Sequence, residues 1–308
     1  MKNNSACTIF KLNVLIWLGC LLCFSEQAMA AADGEFFTVN CGPYKIVFNN
    51  EVRTYGIRTL EYDGAMLMPL SGLNGSVFVP APAKFIGSGH TEGGSEVVEK
   101  LSLEVDGKEV AITAGSTYKG ETIVYRKVGR LANLRFTTEK TITADGLLDR
   151  KRIEAVDDQV VHAINLYQWC WTAKTTEWVA QLGSGEIREG IFTDDNGFKL
   201  KEDIRWTAVY EAESQNGAMM YFPDVIKGKI GQKSCYWDKA KAYHKYYLTV
   251  DTPSKLMKGT ELPIYTQVVK GFSSPKNQWK QAAKELAEKL AEIYPPHRIP
   301  ELDMKTKP

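Results

Sequence analysis

The chain has 308 residues, 38 of them basic and 37 acidic, a net charge of +1 and a 44% share of hydrophobic residues. That length is ample for one large core, and the near-neutral balance removes the electrostatic basis for binding nucleic acid or an anionic membrane. The 4 histidines are scattered and no Cys/His cluster has zinc spacing, so neither a metal centre nor a cofactor is expected.

At the N-terminus, Lys2 and Lys11 precede an apolar run at 12–24, and Ala28-Met29-Ala30 follows. A basic start, a short apolar stretch and a small-x-small site describe a secretory signal peptide. The run is too short for a comfortable membrane span. Cleavage near Ala30 and a secreted or periplasmic product are expected, with no membrane span. Losing Lys2, Lys11 and Glu26 leaves 36 basic and 36 acidic residues, and of the cysteines only Cys41, Cys170 and Cys235. An oxidising compartment permits one disulfide among three cysteines. Cys170 with Cys235 is the expected pair, since both lie in aromatic, strand-like segments.

The next 240 or so residues read as short strands: 36–48, 57–62, 97–105, 109–113, 121–128, 131–143, 147–156, 160–172, 204–212, 217–222 and 244–251. Each is rich in Val, Ile, Thr and aromatics and bounded by turn signals. Asp106-Gly107 and Asp145-Gly146 sit between apolar runs, a strong hairpin signal; Asp195-Asn196-Gly197 does so less cleanly. Near the end, Trp279, Ala283, Leu286, Leu290 and Ile293 recur at four- and three-residue intervals, one face of a helix. Ser274-Pro275 would open that helix and Pro295-Pro296 would close it. The predicted organisation is therefore a signal peptide at 1–30, a β domain at 31–272, and a helix with tail at 273–308. The fold class is all-β, a large two-sheet antiparallel sandwich with one C-terminal amphipathic helix. The helix stripe must lie on an outer sheet face or against a protein partner.

Four constellations could carry chemistry. In VVHAINLYQWCW, residues 160–171, an uninterrupted strand would put Val161, Ala163, Asn165, Tyr167, Trp169 and Trp171 on one face and His162, Ile164, Leu166, Gln168 and Cys170 on the other. The aromatic row would be either a stacking floor for sugar rings, with Asn165 adding hydrogen bonds, or filler between two sheets. His162 reads as a buried, hydrogen-bonded histidine. In the glycine-rich stretch 87–96, His90 and Glu92 would point the same way when extended, so that one could tune the other for proton transfer; the alternative is a solvated loop. The run Tyr236-Trp237-Asp238 with Tyr243, His244, Tyr246 and Tyr247 offers a Tyr/His pair for abstracting a proton from a sugar acid, with Trp237 as a stacking surface. Arg188 and Arg205 could meet a carboxylate, although surface ion pairs explain them equally. Asp194-Asp195-Asn196-Gly197 lacks the alternating acids of a calcium loop and reads as a turn.

The stretch LRFTTEKTITADGLLDRKRIEAVDDQVVHAINLYQWCW resembles the middle of galactose-mutarotase-like supersandwich domains, in which a strand, a tight hairpin and a long return strand lead to a sugar cleft. YHKYYLTVDTPSKLMKGTELPIYTQVV is similar to their closing strands, with Lys258-Gly259-Thr260-Glu261 at the turn. The two segments cover about a quarter of the chain. The resemblance implies a β-supersandwich that handles a mono-, oligo- or polysaccharide, with epimerase-like or lyase-like proton transfer that needs no metal. The His-x-x-x-Asn-Leu element of the mutarotases is one residue shorter here, at His162–Leu166, and 235–251 holds no glutamate, so their acid and base do not carry over. The expected acid/base groups are His90 with Glu92, or His244 with a nearby tyrosine. The expected sugar-contacting residues are Asn165, Tyr167, Trp169, Trp171, Trp237 and Arg188. The competing reading is a non-catalytic cell-envelope binding module that docks a protein through the C-terminal helix.

Overall fold

The computed structural model describes residues 36–49, 54–69, 74–80, 84–88 and 96–296. The candidate pair His90 and Glu92, and the candidate signal peptide, lie outside the described residues.

Alternating apolar and polar residues bounded by turn formers produce three sheets. The largest has ten strands, in the order Ile187–Ile191, Glu177–Leu182, Ile204–Glu211, Asn216–Tyr221, Tyr265–Ser273, Gly146–Ala155, Leu134–Thr143, Thr122–Leu131, Val97–Val105 and Lys108–Val110. A seven-stranded sheet runs Phe198–Glu202, Ser234–Lys239, Tyr243–Thr249, Gln159–Thr172, Gly75–Pro80 and Ile86–Gly87, and Lys255–Leu256 pairs with the long strand Gln159–Thr172. A five-stranded sheet runs Ala65–Met68, Ile57–Tyr62, Tyr44–Asn49, Phe36–Cys41 and Thr117–Lys119, the last pairing being parallel. The other ladders are antiparallel, so the fold is an all-β antiparallel sandwich with one C-terminal helix. One continuous core joins the sheets, with Phe37 and Ile46 from the five-stranded sheet, Ile142 and Leu147 from the ten-stranded sheet, and Phe78 and Trp171 from the seven-stranded sheet.

Several expectations are refined. The segment 36–48 is two strands, folded back at Gly42-Pro43. The hairpin at Asp106-Gly107 forms as expected, and the one expected at Asp145-Gly146 forms with its turn one residue earlier, at Ala144-Asp145. Asp195-Asn196-Gly197 is instead a crossing from the ten-stranded to the seven-stranded sheet. Strands at 75–80, 177–182, 187–191, 198–202, 234–239 and 265–273 had no clean signal, because buried strands such as Gly75–Pro80 and Glu177–Leu182 lose alternation and edge strands such as Ile187–Ile191 lose apolar residues. Cys170 and Cys235 are not joined. Their strands lie on either side of Tyr243–Thr249, which sets the backbones about 10 Å apart, whereas a disulfide needs less than about 7 Å. All three cysteines are buried and none forms a disulfide.

The helix begins at Trp279, four residues later than Ser274-Pro275 suggested, after a turn over 275–278. Trp279, Ala283, Ala287 and Leu290 are buried against Trp206, Tyr210, Met219, Tyr221 and Phe272 on the outer face of the ten-stranded sheet, and the Trp279 indole stacks on Tyr210 at 5.1 Å. The apolar stripe is thus covered by the chain's own sheet, which takes away the surface that the docking reading required. Only Ile293, at its C-terminal end, stays exposed.

Gly129 permits one close approach that matters inside the sandwich. A Cβ there would stand 2.3 Å from Oε1 of Glu96, and Glu96 is the ion-pair partner of the buried Lys127. Gly129→Ala is expected to destabilise by about 1–3 kcal/mol through overpacking, read as a lower denaturation midpoint with unchanged slope; an unchanged midpoint would show that Glu96 moves aside freely.

Candidate functional site

The seven-stranded sheet presents two chemically different faces. Its register places Tyr167, Trp169 and Trp171 opposite Leu248, Tyr246 and His244, which in turn face Ser234, Tyr236 and Asp238. All nine point into the sandwich and are buried. The Trp169 and Trp171 indoles stack at 5.5 Å with 6° between planes. Trp169 Nε1 donates to Gln267 Oε1 at 2.8 Å, and the Tyr167 hydroxyl donates to the backbone oxygens of Asp149 and Tyr265 at 3.0 and 3.1 Å. Tyr167, Trp169 and Trp171 are each 0% exposed, so the reading that makes them a sugar floor is corrected: they are core.

The opposite, outward face holds the aromatic cleft. Between Asn165 and Tyr167 the ladder shifts register, and a second shift falls between Val161 and Ala163. Each bulge breaks the period of two, so Asn165 faces away from Trp169 and Trp171, not alongside them. A cleft of about 540 Å³ opens on this face, lined by His162, Asn165, Phe85, Phe198, Trp237 and Tyr247, among others. Phe198 and Phe85 are 54% and 53% exposed. Trp237 packs beside Phe198 with ring centroids 6.5 Å apart and meets Tyr243 edge-on at 6.2 Å. Asn165 accepts at Oδ1 from the Thr249 hydroxyl at 2.7 Å, which leaves its amide N–H groups available to a ligand. Gln232, Lys201 and Thr249 complete the polar rim. His162, expected to be buried, is exposed here. Cys235 lies in the floor, and burial pushes its thiol up to about 12, so it is a protonated, poor nucleophile at neutral pH. No carboxylate lines this cleft among the described residues.

The other predicted site residues fall elsewhere. Arg188 is an exposed residue of Ile187–Ile191, paired with Glu186 at 2.9 Å and Glu202 at 3.3 Å, and does not reach the cleft; the surface ion-pair reading holds. His244 is 1% exposed and points inward, so it is separated by the sheet from the exposed aromatics. Its ring stacks on Phe192 at 3.9 Å, and Nδ1 lies 3.1 Å from Oδ1 of Asp238. Burial holds the imidazole below its ordinary range, against the opposing pull of Asp238 and a backbone hydrogen bond to Ala173. His244 therefore has a titratable neighbour but no access to the cleft. Its partners Asp194 and Phe192, and the cleft residues Phe85 and Phe198, were not singled out as site residues; the one available signal was an aromatic just beyond the Asp-Asp-Asn-Gly turn.

Inside the sandwich a third cluster joins the ten- and seven-stranded sheets. Tyr125, Lys140, Asp149 and Gln267 form one cross-strand row, and Lys127, Thr138, Lys151 and Tyr265 the next. Lys140 is paired with Asp149, and Lys127 with Glu96 at 2.6 Å. Lys151 Nζ donates to Ser76 Oγ at 2.8 Å and to the Leu166 carbonyl at 2.7 Å across the interior. Burial drives the Lys151 ammonium down to about 7, with Asp149 opposing that shift.

No family model and no curated protein matches the sequence. Solved structures do. The galactosidase domain of an alpha-galactosidase–sucrose kinase resembles this chain with a TM-score of 0.55 at 6% identity, over 79% of this chain and 41% of that one. An alpha-galactosidase from Lactobacillus brevis does so with a TM-score of 0.51 at 8% identity, over 82% and 41%. The chain thus spans less than half the length of these two proteins, and at such identities the likeness is one of fold. A galactose mutarotase-like protein from Lactobacillus casei ATCC 334 aligns with a TM-score of 0.47 at 9% identity, over 77% of this chain and 100% of that one. The distant, shape-level resemblance to galactose-mutarotase-like domains suggested by the sequence is met among these structures. Within the described residues, no helix is long and apolar enough to cross a membrane.

Proposed function

We propose that the protein is an exported carbohydrate-binding protein that holds a sugar in the cleft on the outward face of the seven-stranded sheet. The observation that carries this reading is the cleft itself: aromatic rings left exposed beside amide and hydroxyl groups. Sugar rings present C–H faces that stack on aromatic planes and hydroxyls that need directional partners, which Trp237, Phe198 and Tyr247 on one hand and Asn165, Gln232 and Thr249 on the other supply. The neighbours of similar fold are proteins named for galactosides and for galactose mutarotase, which supports a carbohydrate as the ligand class. Export rests on the basic start, apolar run and Ala28-Met29-Ala30 of the first thirty residues. The lining, with no carboxylate among its described members, favours binding over proton transfer.

A glycan array followed by calorimetry on the best ligand tests this. Trp237→Ala is expected to weaken binding by about 30-fold, the equivalent of roughly 2 kcal/mol for an aromatic anchor, at an unchanged melting temperature, because Trp237 is only half-buried. Absence of any glycan ligand, or equal affinity in the variant, would reject the cleft as a sugar site.

A further inference from the structure

Asp194, Asp238 and His244 each offer one ligand atom, and the three atoms lie within 4.8 Å of one another. Asp238 and His244 face each other from paired positions on neighbouring strands, and Asp194 comes from the crossing that links the two sheets. Asp238 is 0% and His244 1% exposed. Oδ1 of Asp238 and Nδ1 of His244 stand 3.1 Å apart, and apart from this mutual approach neither of these buried atoms has a hydrogen-bond partner. Asp238 Oδ2 is already engaged by the Thr193 N–H at 2.7 Å, and Asp194 Oδ1 by the Lys241 N–H at 3.1 Å. Each carboxylate is thus oriented by a backbone donor, firmly for the buried Asp238 and loosely for the exposed Asp194. The ring of His244 is held as well, by Phe192 stacked on it and by its hydrogen bond to the Ala173 carbonyl. A second ring nitrogen tied to a backbone carbonyl is the usual support of a metal-binding histidine.

We propose that Asp194, Asp238 and His244 bind a divalent transition-metal ion, for which zinc is the best match. Mixed imidazole and carboxylate donors suit zinc, and bonds of about 2.0–2.2 Å in a tetrahedron place neighbouring donor atoms roughly 3.4 Å apart. The Asp238–His244 separation of 3.1 Å is slightly shorter than that edge, so a small outward rotation of either side chain would admit the ion. Asp194 is exposed and sits in a turn, so it can close the remaining distance and also marks an entry path from solvent. Charge agrees too: Asp194 and Asp238 converge here, with Asp195 close by, and Lys199 pairs with Asp195 and stands 3.7 Å from Asp238 Oδ2. Three protein ligands leave a fourth position for water or an incoming anion, as in open zinc sites. The site lies on the inward side of the strand that carries Trp237, so it is independent of the sugar cleft.

Protein stripped with a chelator and titrated with zinc chloride in a calorimeter is expected to bind one ion saturably, and zinc is expected to raise its melting temperature. Asp194→Ala, which alters an exposed residue outside the core, should stay folded without zinc and bind it at least about 10-fold more weakly. His244→Gln should lose saturable binding. If the unaltered protein shows no saturable zinc binding, or if Asp194→Ala binds as tightly as it does, the proposal is overturned; because Asp194→Ala does not disturb the core, it decides the matter even if His244→Gln fails to fold.

Discussion

Trp169→Ala is expected to destabilise the protein by about 3–5 kcal/mol, the range for removing a buried tryptophan. The indole fills the space between two sheets, stacks on Trp171 and satisfies Gln267 through Nε1. Its loss would open a cavity and also leave the Gln267 carbonyl without its donor in an interior where an unmade hydrogen bond adds a further penalty. Chemical denaturation monitored by tryptophan fluorescence measures this. The informative contrast is with Trp237→Ala, which should change sugar affinity and leave stability nearly untouched. A Trp169→Ala protein as stable as the parent would mean that this residue is not core, and the assignment of the two faces would have to be exchanged.

The second large effect concerns the buried charges. Asp149→Asn is expected to destabilise by about 3–5 kcal/mol, the range for breaking a buried ion pair from one side, because it leaves Lys140, in an environment that already disfavours its charge, without its carboxylate. Lys151 makes a separate, pH-dependent contribution. Its folded value of about 7 lies below the ordinary lysine value of 10.5, so between those limits the unfolded chain binds more protons than the folded one. Stability therefore rises with pH in that window, by at most about 1.4 kcal/mol per unit. The penalty of holding Lys151 charged is full below pH 7 and fades as pH approaches 10.5. Buried tyrosines oppose the trend in the alkaline part of the range, since Tyr236 and Tyr246 are held above their ordinary values and bind protons longer folded than unfolded. The clean measurement is the difference between the parent and Lys151→Met across pH 7 to 9, in which the tyrosines cancel. The parent should gain stability relative to the variant as pH rises; parallel curves would show that Lys151 titrates normally in the folded protein.

The all-β class, the hairpins at Asp106-Gly107 and Ala144-Asp145, and the terminal helix stripe were legible because local chemistry specifies them: strand alternation, turn residues and a 3.6-residue period depend only on near neighbours in sequence. Trp237 and Asn165 were also recognisable as ligand-facing candidates by residue type. What sequence could not resolve was the side of the sheet on which each residue stands. The bulge between Asn165 and Tyr167 reverses the alternation within Gln159–Thr172, so that Tyr167, Trp169 and Trp171 are core while Asn165 stands on the opposite face, in the cleft. A bulge shifts every residue beyond it to the opposite face, and it is set by how the neighbouring strands pair. The same holds for the meeting of Asp194, Asp238 and His244, and for the lysines in the interior. Residues from distant strands come together only through ladder order and register, so composition, strand content and turns belong to the sequence of this protein, whereas its faces, cleft and charge clusters belong to the tertiary structure.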